Sequence, residues 1–493
     1  MENTLYYGDN LEILRKYIKD ESIDLIYLDP PFNSKANYNV LFKDESGESK
    51  AQIQAFTDFW HWDEESAKAY DYLVTNPNVP AKVSNLISAL HSFLGQNQMS
   101  AYLVMMATRL IELHRVLKDT GSLYFHCDPT ASHYLKILLD AIFGEYNFKN
   151  EIIWHYRRWS NTSGSYQNMH DVIFFYTKSN KHTFNTLYQD YTNKEWIENT
   201  VRGVIKGKLV RLKDEQGNYI KRKKENNGVP MHDVWEDINF IAPTASERLG
   251  YPTQKPVKLL ERIITVSSNG NDVVLDPFCG CGTAIDAAEK LGRKWIGIDI
   301  THLAINLIKR RIKEKYPNCK FEVMGEPKDI EGAKDLALKD RYQFEWWALS
   351  LINARPANDK KKGADLGVDG IILLQNPNMK EPIKALVQVK SGHVKSDMIT
   401  ALKGAMERDK AKYGIFITLE EPTQPMIKEA LEKGFETEPL TKEKIPQVEI
   451  ITIKELLESK IPKLQQVYNK INITYQKAEK DKTKEENGYY KKL

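Results

Sequence analysis

The 493-residue sequence has few cysteines and no long apolar run. Its cysteines, Cys127, Cys279, Cys281 and Cys319, include no CxxC pair, so we predict neither a disulfide framework nor a zinc site, and a reducing compartment. No run approaches the roughly 18 apolar residues that a membrane-spanning helix requires. The first residues, MENTLYYGDN, lack a basic and then apolar leader. We therefore expect a soluble, cytoplasmic protein without a membrane partner.

The sequence also lacks an excess of charge of one sign. Lysine and arginine number 70 and aspartate and glutamate 67, which gives a formal net charge of +3. This balance excludes a uniformly basic surface, so any contact with nucleic acid must be local. No GxxxxGK[ST] phosphate loop occurs, so ATP-driven translocation would have to come from a partner.

The length and the order of the elements predict two α/β domains. A chain this long exceeds what one hydrophobic core usually serves. Short apolar runs alternate with amphipathic helical patterns, for example the helix AYLVMMATRLIELHRVLK followed by the strand GSLYFHCD, which predicts a parallel sheet in residues 1–325. Segments 33–98 and 180–250 interrupt this rhythm, and we interpret them as a lid insertion and a binding region. A second α/β pattern covers 335–460, and a charged C-terminal tail covers 461–493.

A glycine-rich turn follows an apolar strand in VVLDPFCGCGT, residues 273–283. Gly280 and Gly282 let the backbone approach a ligand closely, and Thr283 is expected to cap the next helix. Further on, the strand WIGIDI ends on Asp299, where an acid can bind both hydroxyls of a ribose. An ordinary strand–turn–helix is the alternative, but the second acid at a strand end favours a nucleotide-like ligand.

The stretch LDPPFN, residues 28–33, ends another apolar run with an acid, two prolines and an aromatic residue. Neither proline has a backbone N–H to donate, so the strand must stop there. The motif is either a simple stop signal or a catalytic group at the end of a strand.

Together, LDPPFN and the segment from GYPTQKP to WIGIDI resemble the β class of amino-DNA methyltransferases, including the modification subunits of type III restriction systems. The resemblance covers roughly residues 1–320 and implies a Rossmann-like, circularly permuted fold with a mostly parallel sheet. In that arrangement the first strand, TLYYGD, takes the place of the strand that would follow WIGIDI. The resemblance implies that S-adenosylmethionine is bound by Asp9, Lys255, Pro256, Asp276, Pro277, Phe278, Gly280, Gly282, Thr283 and Asp299.

The family resemblance also gives LDPPFN a catalytic role through Asp29, Pro30, Pro31 and Phe32. The exocyclic amine of adenine is a poor nucleophile because its lone pair is delocalised into the ring. The Asp29 carboxylate and the Pro30 carbonyl can each accept one N–H and localise that lone pair, while Phe32 stacks on a base flipped out of the duplex. Aspartate at position 29 is similar to the adenine-N6 enzymes, and cytosine N4 is kept as the weaker alternative.

A basic run lies between residues 201 and 224. Its density of cations would neutralise phosphates and make DNA affinity sensitive to salt, although a solvated loop is the alternative. The run corresponds in position to the target-recognition region of the family. Its cations are Arg202, Lys206, Lys208, Arg211, Lys213, Lys221, Arg222, Lys223 and Lys224.

The second domain carries a separate set of polar residues. Gln388 and Lys390 lie two apart on one face of the predicted strand IKALVQVK, Asp369 begins another strand and Glu345 lies on the preceding predicted helix. Oxygen ligands from Asp369 and Gln388 with a nearby lysine suit a Mg²⁺-assisted hydrolysis. The stretch resembles the Mrr-like PD-(D/E)xK nucleases, in which most members carry an acid where Gln388 stands. A nuclease-like fold kept for DNA binding or assembly is the alternative.

Two other groups of residues can be explained without a catalytic or metal-binding role. His126, Cys127 and Asp128, at the end of LYFHCD, are interpreted as strand-end packing residues and not as metal ligands. Arg157 and Arg158 are either DNA contacts or plain surface charges.

The sequence thus predicts a DNA adenine-N6 methyltransferase joined to a Mg²⁺-dependent endonuclease in a restriction-modification or phage-defence system. The alternatives are a modification-only subunit, a cytosine-N4 enzyme, and a protein or RNA methyltransferase. The expected partners are double-stranded DNA, a second copy of the chain, and a helicase, translocase or other defence subunit.

Overall fold

The computed structural model describes residues 2–31, 37–42, 51–57, 62–157, 164, 166–189, 198–205, 208–223, 228–242, 245, 247–249, 251, 253–357, 368–374, 382–438 and 442–468. The strands at 37–42, 51–57, 198–200 and 221–223 are described by their backbone alone.

The helices and strands alternate along most of the chain. The strands are β1 (Asn3–Tyr7), β2 (Ile23–Leu28), β3 (Asn37–Phe42), β4 (Ala51–Thr57), β5 (Leu117–Cys127), β6 (Phe148–His155), β7 (His170–Thr177), β8 (Tyr188–Gln189), β9 (Glu198–Thr200), β10 (Arg202–Ile205), β11 (Lys208–Arg211), β12 (Lys221–Lys223), β13 (Val229–Pro230), β14 (Val234–Trp235), β15 (Val273–Asp276), β16 (Lys294–Asp299), β17 (Phe321–Met324), β18 (Arg355–Pro356), β19 (Gly370–Leu374), β20 (Ile383–Lys390), β21 (Tyr413–Thr418), β22 (Phe435–Thr437), β23 (Lys444–Pro446) and β24 (Val448–Thr452). The α-helices are α1 (Asn10–Tyr17), α2 (Glu64–Thr75), α3 (Ala81–Leu94), α4 (Gln98–Val116), α5 (Pro129–Phe143), α6 (Val257–Ser267), α7 (Thr283–Lys290), α8 (His302–Lys315), α9 (Ile330–Lys339), α10 (Arg341–Leu351), α11 (Ser396–Arg408), α12 (Gln424–Glu432), α13 (Ile453–Leu457) and α14 (Lys463–Tyr468).

The first domain is built on a nine-stranded sheet in the order β14-β6-β7-β5-β2-β15-β16-β1-β17. Strand β7 runs antiparallel to both of its neighbours, and the other pairs are parallel. The predicted mostly parallel sheet is therefore confirmed. The permutation is confirmed too, because β1 lies beside β16 with Tyr7 opposite Asp299.

Helices cover both faces of this sheet. One apolar cluster joins β2 and β5 to α1, α4 and α5, and the other joins the opposite face of the strands to α6, α7 and α8. Such a doubly wound layout leaves the carboxyl ends of the central parallel strands open at one edge, where ligands bind in this class of fold.

Three features of the fold differ from the sequence prediction. Helix α4 ends at Val116 and not at Lys118, because Leu117 turns to an extended conformation, begins β5 and pairs with Ile23 of β2. Strand β17 at the edge of the sheet was not predicted. Helix α14 lies within the predicted C-terminal tail, and its apolar face buries Leu464 and Tyr468 in the core of the second domain. The tail beyond residue 468 lies outside the described residues.

The segment predicted as a lid contains two different parts. Strands β3 and β4 form an antiparallel pair. Helices α2 and α3 pack on the first apolar cluster through Leu73, Val83 and Ile87. In the structure these helices form a wall of the domain, and a lid role for the segment stays a prediction.

The second domain has a five-stranded sheet in the order β18-β19-β20-β21-β24. Strand β19 runs antiparallel to both of its neighbours, β18 and β20, whereas β20, β21 and β24 are parallel. Helix α10 packs on one face through Phe344, Trp347 and Leu349, and helix α11 packs on the other through Ile399 and Leu402. Among the described residues, no helix is both long enough and apolar enough to cross a bilayer.

Candidate active site

Acidic side chains lie at or just beyond the carboxyl ends of four neighbouring parallel strands. In sheet order the strands are β2, β15, β16 and β1, and the acids are Asp29, Asp276, Asp299 and Asp9. All four line one cavity of about 1150 Å³. The sequence separates Asp9 and Asp29 from the other two acids by more than 240 residues, so only the sheet brings them together.

Two glycines of the turn after β15 have positive φ angles. Gly280 has φ +48°, and a Cβ there would lie 3.2 Å from Cε1 of Tyr251. Gly282 has φ +74°, and a Cβ there would lie 2.6 Å from Cγ1 of Ile308. The turn thus passes close to Tyr251 on one side and to α8 on the other. A side chain at Gly280 would be tightly packed against Tyr251, and one at Gly282 would clash with Ile308.

The predicted helix cap at Thr283 is wrong. Gly282, in the left-handed region, is the N-cap of α7, and it offers no side-chain hydrogen bond. Thr283 is the first helical residue, and its hydroxyl lies 3.6 Å from the Cys281 thiol. The left-handed glycine changes the direction of the chain one residue earlier than the sequence pattern predicted.

Asp299 fastens this turn to the end of β16. Its Oδ2 accepts a hydrogen bond from the Gly280 N–H at 2.9 Å, and its Oδ1 accepts from the Thr301 N–H at 2.9 Å. Burial raises the pKa of Asp299 to about 6, although these hydrogen bonds oppose the shift. The carboxyl group is therefore positioned by the backbone and is costly to ionise.

Asp276 is 3% exposed and accepts a hydrogen bond from the Phe278 N–H at 3.1 Å. Burial raises its pKa well above the usual value, and the negative charges of Asp29 and Asp299 add to this. The carbonyl of Pro277 accepts a hydrogen bond from the Asn10 amide at 2.8 Å, which ties the turn to α1.

Asp9 caps helix α1 and also pairs with an arginine side chain at the cavity. Its Oδ1 accepts from the Leu11 N–H at 2.8 Å, and its Oδ2 pairs with the Arg109 guanidinium at 2.6 Å. Arg109 Nε also donates to the Asn10 side chain at 2.5 Å. Sequence reasoning missed Arg109 and Asn10. The one available signal was an arginine within the apolar run MMATRLIEL, which did not specify a partner 100 residues away.

Asp29 follows the last residue of β2, and it pairs with a lysine from a distant segment. Lys255 Nζ lies 2.6 Å from Asp29 Oδ2, and their side chains are 9% and 15% exposed. Pro30 and Pro31 line the same cavity, and Pro256 is the N-cap residue of α6. The predicted stacking residue Phe32 lies outside the described residues.

A buried polar chain lies beside the end of β2. Tyr27 Oη is 2.9 Å from His126 Nδ1, His126 Nε2 is 3.1 Å from Asp171 Oδ2, and Tyr156 Oη donates to Asp171 Oδ1 at 3.0 Å. Burial raises the pKa of Asp171, but the hydrogen bond from His126 and the charges of His126 and Lys255 together outweigh burial and leave the pKa below its usual value. His126 is fully buried, as its predicted packing role requires, but this hydrogen-bonded chain was not predicted.

The two residues beside His126 also have structural positions. Cys127 is fully buried in the first apolar cluster. Asp128 is the N-cap of α5, and its side chain accepts from the Thr130 N–H at 3.1 Å.

The basic run forms short antiparallel hairpins that lie between β8 and β13 in the chain. Strands β10 and β11 pair with Arg202 opposite Arg211, and β12 pairs with β9. Arg202, Lys208, Arg211 and Lys213 are exposed, and Lys213 Nζ lies 5.0 Å from the centre of the Tyr219 ring. Lys206 and Lys224 lie outside the described residues, as does Arg158, whereas Lys221, Arg222 and Lys223 are described by their backbone.

The polar residues of the second domain converge at the start of β19 and the end of β20. Asp369 Oδ2 accepts a hydrogen bond from the Val389 N–H at 2.8 Å and lies 3.9 Å from Lys390 Nζ. Gln388 is 4% exposed, and its Oε1 has no hydrogen-bond partner within the part of the chain that the structure describes. Sheet pairing therefore places the predicted acid, amide and lysine together.

Glu345 is buried on α10, which packs over the start of β19. A Cβ on Gly370 would lie 2.4 Å from Cδ2 of Leu349, one helical turn beyond Glu345. Val387 and Val389 face α10, so Gln388 and Lys390, which alternate with them along β20, point to the opposite face of the sheet, which α11 covers. The helix that carries Glu345 therefore lies on the other face from these two predicted partners. Within the described parts of the chain, no group of three His, Cys, Asp or Glu side chains could hold a metal ion. A cation here would need the amide oxygen of Gln388 as a ligand.

Family models match both domains. Residues 23–310 match the N6_N4_Mtase model, described as DNA methylase. Residues 339–459 match the Mrr_cat model, described as restriction endonuclease. The first match covers more than half of the chain and includes Asp29, Lys255, Asp276 and Asp299.

Individual proteins resemble the first domain. The type II methyltransferase M.BamHI of Bacillus amyloliquefaciens is 30% identical over 312 residues, which are 63% of this chain and 57% of that protein. The DNA adenine methyltransferase YhdJ of Escherichia coli (strain K12) is 29% identical over 315 residues, which are 63% of this chain and 82% of that protein. A solved structure of the M1.HpyAVI–SAM complex superposes with a TM-score of 0.33 at 17% identity, over 63% of this chain and 98% of that one.

Proposed function

The chain belongs to the DNA methylase family, and we propose that it transfers a methyl group from S-adenosylmethionine to the N6 amine of adenine in double-stranded DNA. The observation that carries this proposal is the placement of Asp29 in one cavity with the glycine turn and Asp299. A nucleophile-binding acid and a nucleotide-binding acid thereby face the same space. The YhdJ relative is a DNA adenine methyltransferase, which supports adenine over cytosine.

The residues of the cavity fit S-adenosylmethionine. Gly280 places backbone without a side chain at the cavity. Asp299 suits a ribose because its Oδ2, which accepts one hydrogen bond from the Gly280 N–H, can accept a further one from a hydroxyl. Asp276, Phe278 and Lys255 would lie along the rest of the molecule. When bound, S-adenosylmethionine supplies an electrophilic methyl group on a sulfonium.

Asp29 has two tasks in this mechanism. Lys255 occupies its Oδ2 and keeps the carboxylate oriented. Its Oδ1 then accepts one N–H of the target amine while the Pro30 carbonyl accepts the other, which localises the nitrogen lone pair toward the methyl group. After transfer, Asp29 takes the proton that the amine must lose, so no covalent enzyme intermediate is required.

Labelled S-adenosylmethionine and unmethylated duplex DNA test this function. We expect label in N6-methyladenine after digestion to nucleosides, and a loss of at least about 10²-fold in rate for Asp29→Ala with cofactor binding retained. Asp20→Ala is the matched control, because Asp20 is an exposed acid outside the cavity. Label in N4-methylcytosine would select the cytosine alternative. A wild-type rate in Asp29→Ala would refute the mechanism, and label that enters protein or RNA but not DNA would refute the function.

We also propose that the second domain is a Mg²⁺-dependent DNA endonuclease. The specific support is Gln388 Oε1, a buried oxygen close to Asp369 that has no hydrogen-bond partner among the described residues. Asp369 and Gln388 would hold the cation, which would supply charge stabilisation at a phosphate, and Lys390 would help to polarise the attacking water.

Unmethylated plasmid incubated with the protein and Mg²⁺ separates this proposal from a modification-only subunit. Nicks or cuts that Lys390→Ala abolishes, with methylation unchanged, would support the endonuclease. The matched control is Lys410→Ala at an exposed turn of the same domain. Intact but methylated DNA would identify the domain as a DNA-binding or assembly module. The cytoplasmic location, a homodimer and a translocase partner remain predictions.

A further inference from the structure

The cavity of the first domain extends to the second domain. At one end it is lined by Asp29, Pro30 and Lys255, whereas at the other it is lined by Gln343 and Trp346 of α10. Residues 339–459 match the restriction-endonuclease model, so this outer wall comes from the second domain. The volume of about 1150 Å³ is above the usual range for a site that holds one small molecule.

Helix α10 has one face in the core of the second domain and another that lines the cavity. Phe344, Trp347 and Leu349 are buried in the core of the second domain. Gln343 and Trp346 are half-buried, lie three residues apart on another face and line the cavity. The position of α10 is fixed by its own domain, and its opposite face is presented to the first domain.

A hydrogen bond joins this face to the nucleotide-binding edge. The His302 N–H, at the start of α8, donates to Gln343 Oε1 at 3.1 Å. His302 follows Asp299 by three residues, and its ring stacks on Tyr7 of β1 at 3.6 Å between centroids. Gln343 thus satisfies one of the N–H groups that a helix leaves open at its first turn, directly beside the acid expected to bind a ribose.

Apolar surface is available on both sides of this region. Ile300, which follows Asp299, is 60% exposed and lines the cavity. Trp346 presents an indole from the second domain. A planar heteroaromatic base gains most when both of its faces are covered, since aromatic stacking adds to the burial of apolar area.

We propose that α10 is part of the cofactor site, with the adenine end of S-adenosylmethionine bound between Ile300 of the first domain and Trp346 of the second. Gln343 positions the loop that carries Asp299. This inference rests on the proposed methyltransferase function. It assigns cofactor-binding residues to a domain that the sequence analysis gave only to nuclease chemistry.

Calorimetric titration of the full-length chain with S-adenosylhomocysteine tests the proposal. We expect Trp346→Ala to raise Kd about tenfold or more and Trp346→Phe to restore most of the affinity. Gln343→Ala should raise Kd by a smaller factor. The matched controls are Leu338→Ala and Arg341→Ala, because both side chains are exposed near the same end of α10 but do not line the cavity.

Kinetics give a second readout that a merely structural defect would not produce. Trp346→Ala should raise KM for S-adenosylmethionine with little change in kcat, because the adenine end does not take part in the methyl transfer. Thermal unfolding without ligand should match the wild type. An unchanged Kd and KM in both Trp346→Ala and Gln343→Ala would overturn this inference alone. A wild-type chain that binds no S-adenosylhomocysteine would overturn the proposed function as well.

Discussion

Lys255 Nζ lies 2.6 Å from Asp29 Oδ2, although 226 residues separate the two in the chain. Both side chains are largely buried, so the pair holds a charge-assisted hydrogen bond away from bulk water. Lys255 was predicted as a residue that binds the cofactor. In the structure it also orients the acid of LDPPFN, and several expectations depend on that contact.

Removal of the Lys255 ammonium should impair catalysis more than cofactor binding. In Lys255→Met, Asp29 loses the ammonium that contacts its Oδ2, so its carboxylate is no longer held in one orientation. We expect kcat to fall about 10²-fold at pH 7.5, with a change of less than about fivefold in the Kd for S-adenosylhomocysteine. Lys258→Met on the adjacent helix is the control. Equal losses in kcat and affinity would place Lys255 on the cofactor instead.

Cofactor affinity should depend on pH through Asp299. Burial raises the pKa of its carboxyl group to about 6, so the group is protonated below that pH and ionised above it. A ribose hydroxyl donates best to the ionised form, and therefore affinity should rise between pH 5 and pH 7 and level off above. Asp299→Asn should bind more weakly and lose this transition, as titrations at five pH values would reveal. Buried Asp276, whose pKa is also raised, is tested in parallel with Asp276→Asn. A transition that survives in Asp299→Asn would assign the pH dependence elsewhere.

A side chain at Gly282 should destabilise the first domain. Its φ of +74° is unfavourable for alanine, and the new Cβ would lie 2.6 Å from Ile308 Cγ1. We expect Gly282→Ala to lower the free energy of unfolding by roughly 2–4 kcal/mol. Gly270→Ala is the control, because nothing lies within 4 Å of its Cβ position. Urea unfolding of both variants measures the difference, and similar stabilities would contradict the left-handed turn.

The exposed basic hairpin should contribute to DNA affinity through phosphates. Arg202 and Arg211 lie opposite each other on β10 and β11. Replacing both by glutamine should weaken binding to any duplex and reduce the slope of log K against log salt by about 2. Lys16→Gln with Lys19→Gln, on exposed positions near α1, keeps the same change of charge. If the control pair lowers the slope equally, the hairpin is not the main contact.

A second acid in the nuclease site should strengthen metal binding. Gln388 Oε1 is buried near Asp369 and has no partner in the described ranges, and more ligand charge tightens the binding of a divalent cation. We expect Gln388→Glu to lower the Kd for Mn²⁺ by roughly tenfold and Gln388→Leu to raise it. Calorimetry measures both without requiring cleavage. Identical Kd values in the three proteins would exclude position 388 as a ligand.

Much of the candidate site could be predicted from short stretches of sequence. The turn VVLDPFCGCGT and the strand end at Asp299 have local causes, namely glycine's access to positive φ and the end of an apolar run. LDPPFN stops β2 because two prolines cannot continue it. The acid, glutamine and lysine of the second domain were likewise found from the alternation of side chains along one strand.

The sequence by itself determined which elements form and which residue types stand at their ends, because helix and strand periodicities and turn chemistry are local properties. Only the tertiary structure decided which residues contact one another. These contacts are Lys255 with Asp29, Arg109 with Asp9, His126 with both Tyr27 and Asp171, and Gln343 of one domain with His302 of the other. Those contacts join residues 41 to 226 positions apart. Their selection depends on strand order and on the packing of helices across two cores, and no local pattern in the chain encodes either.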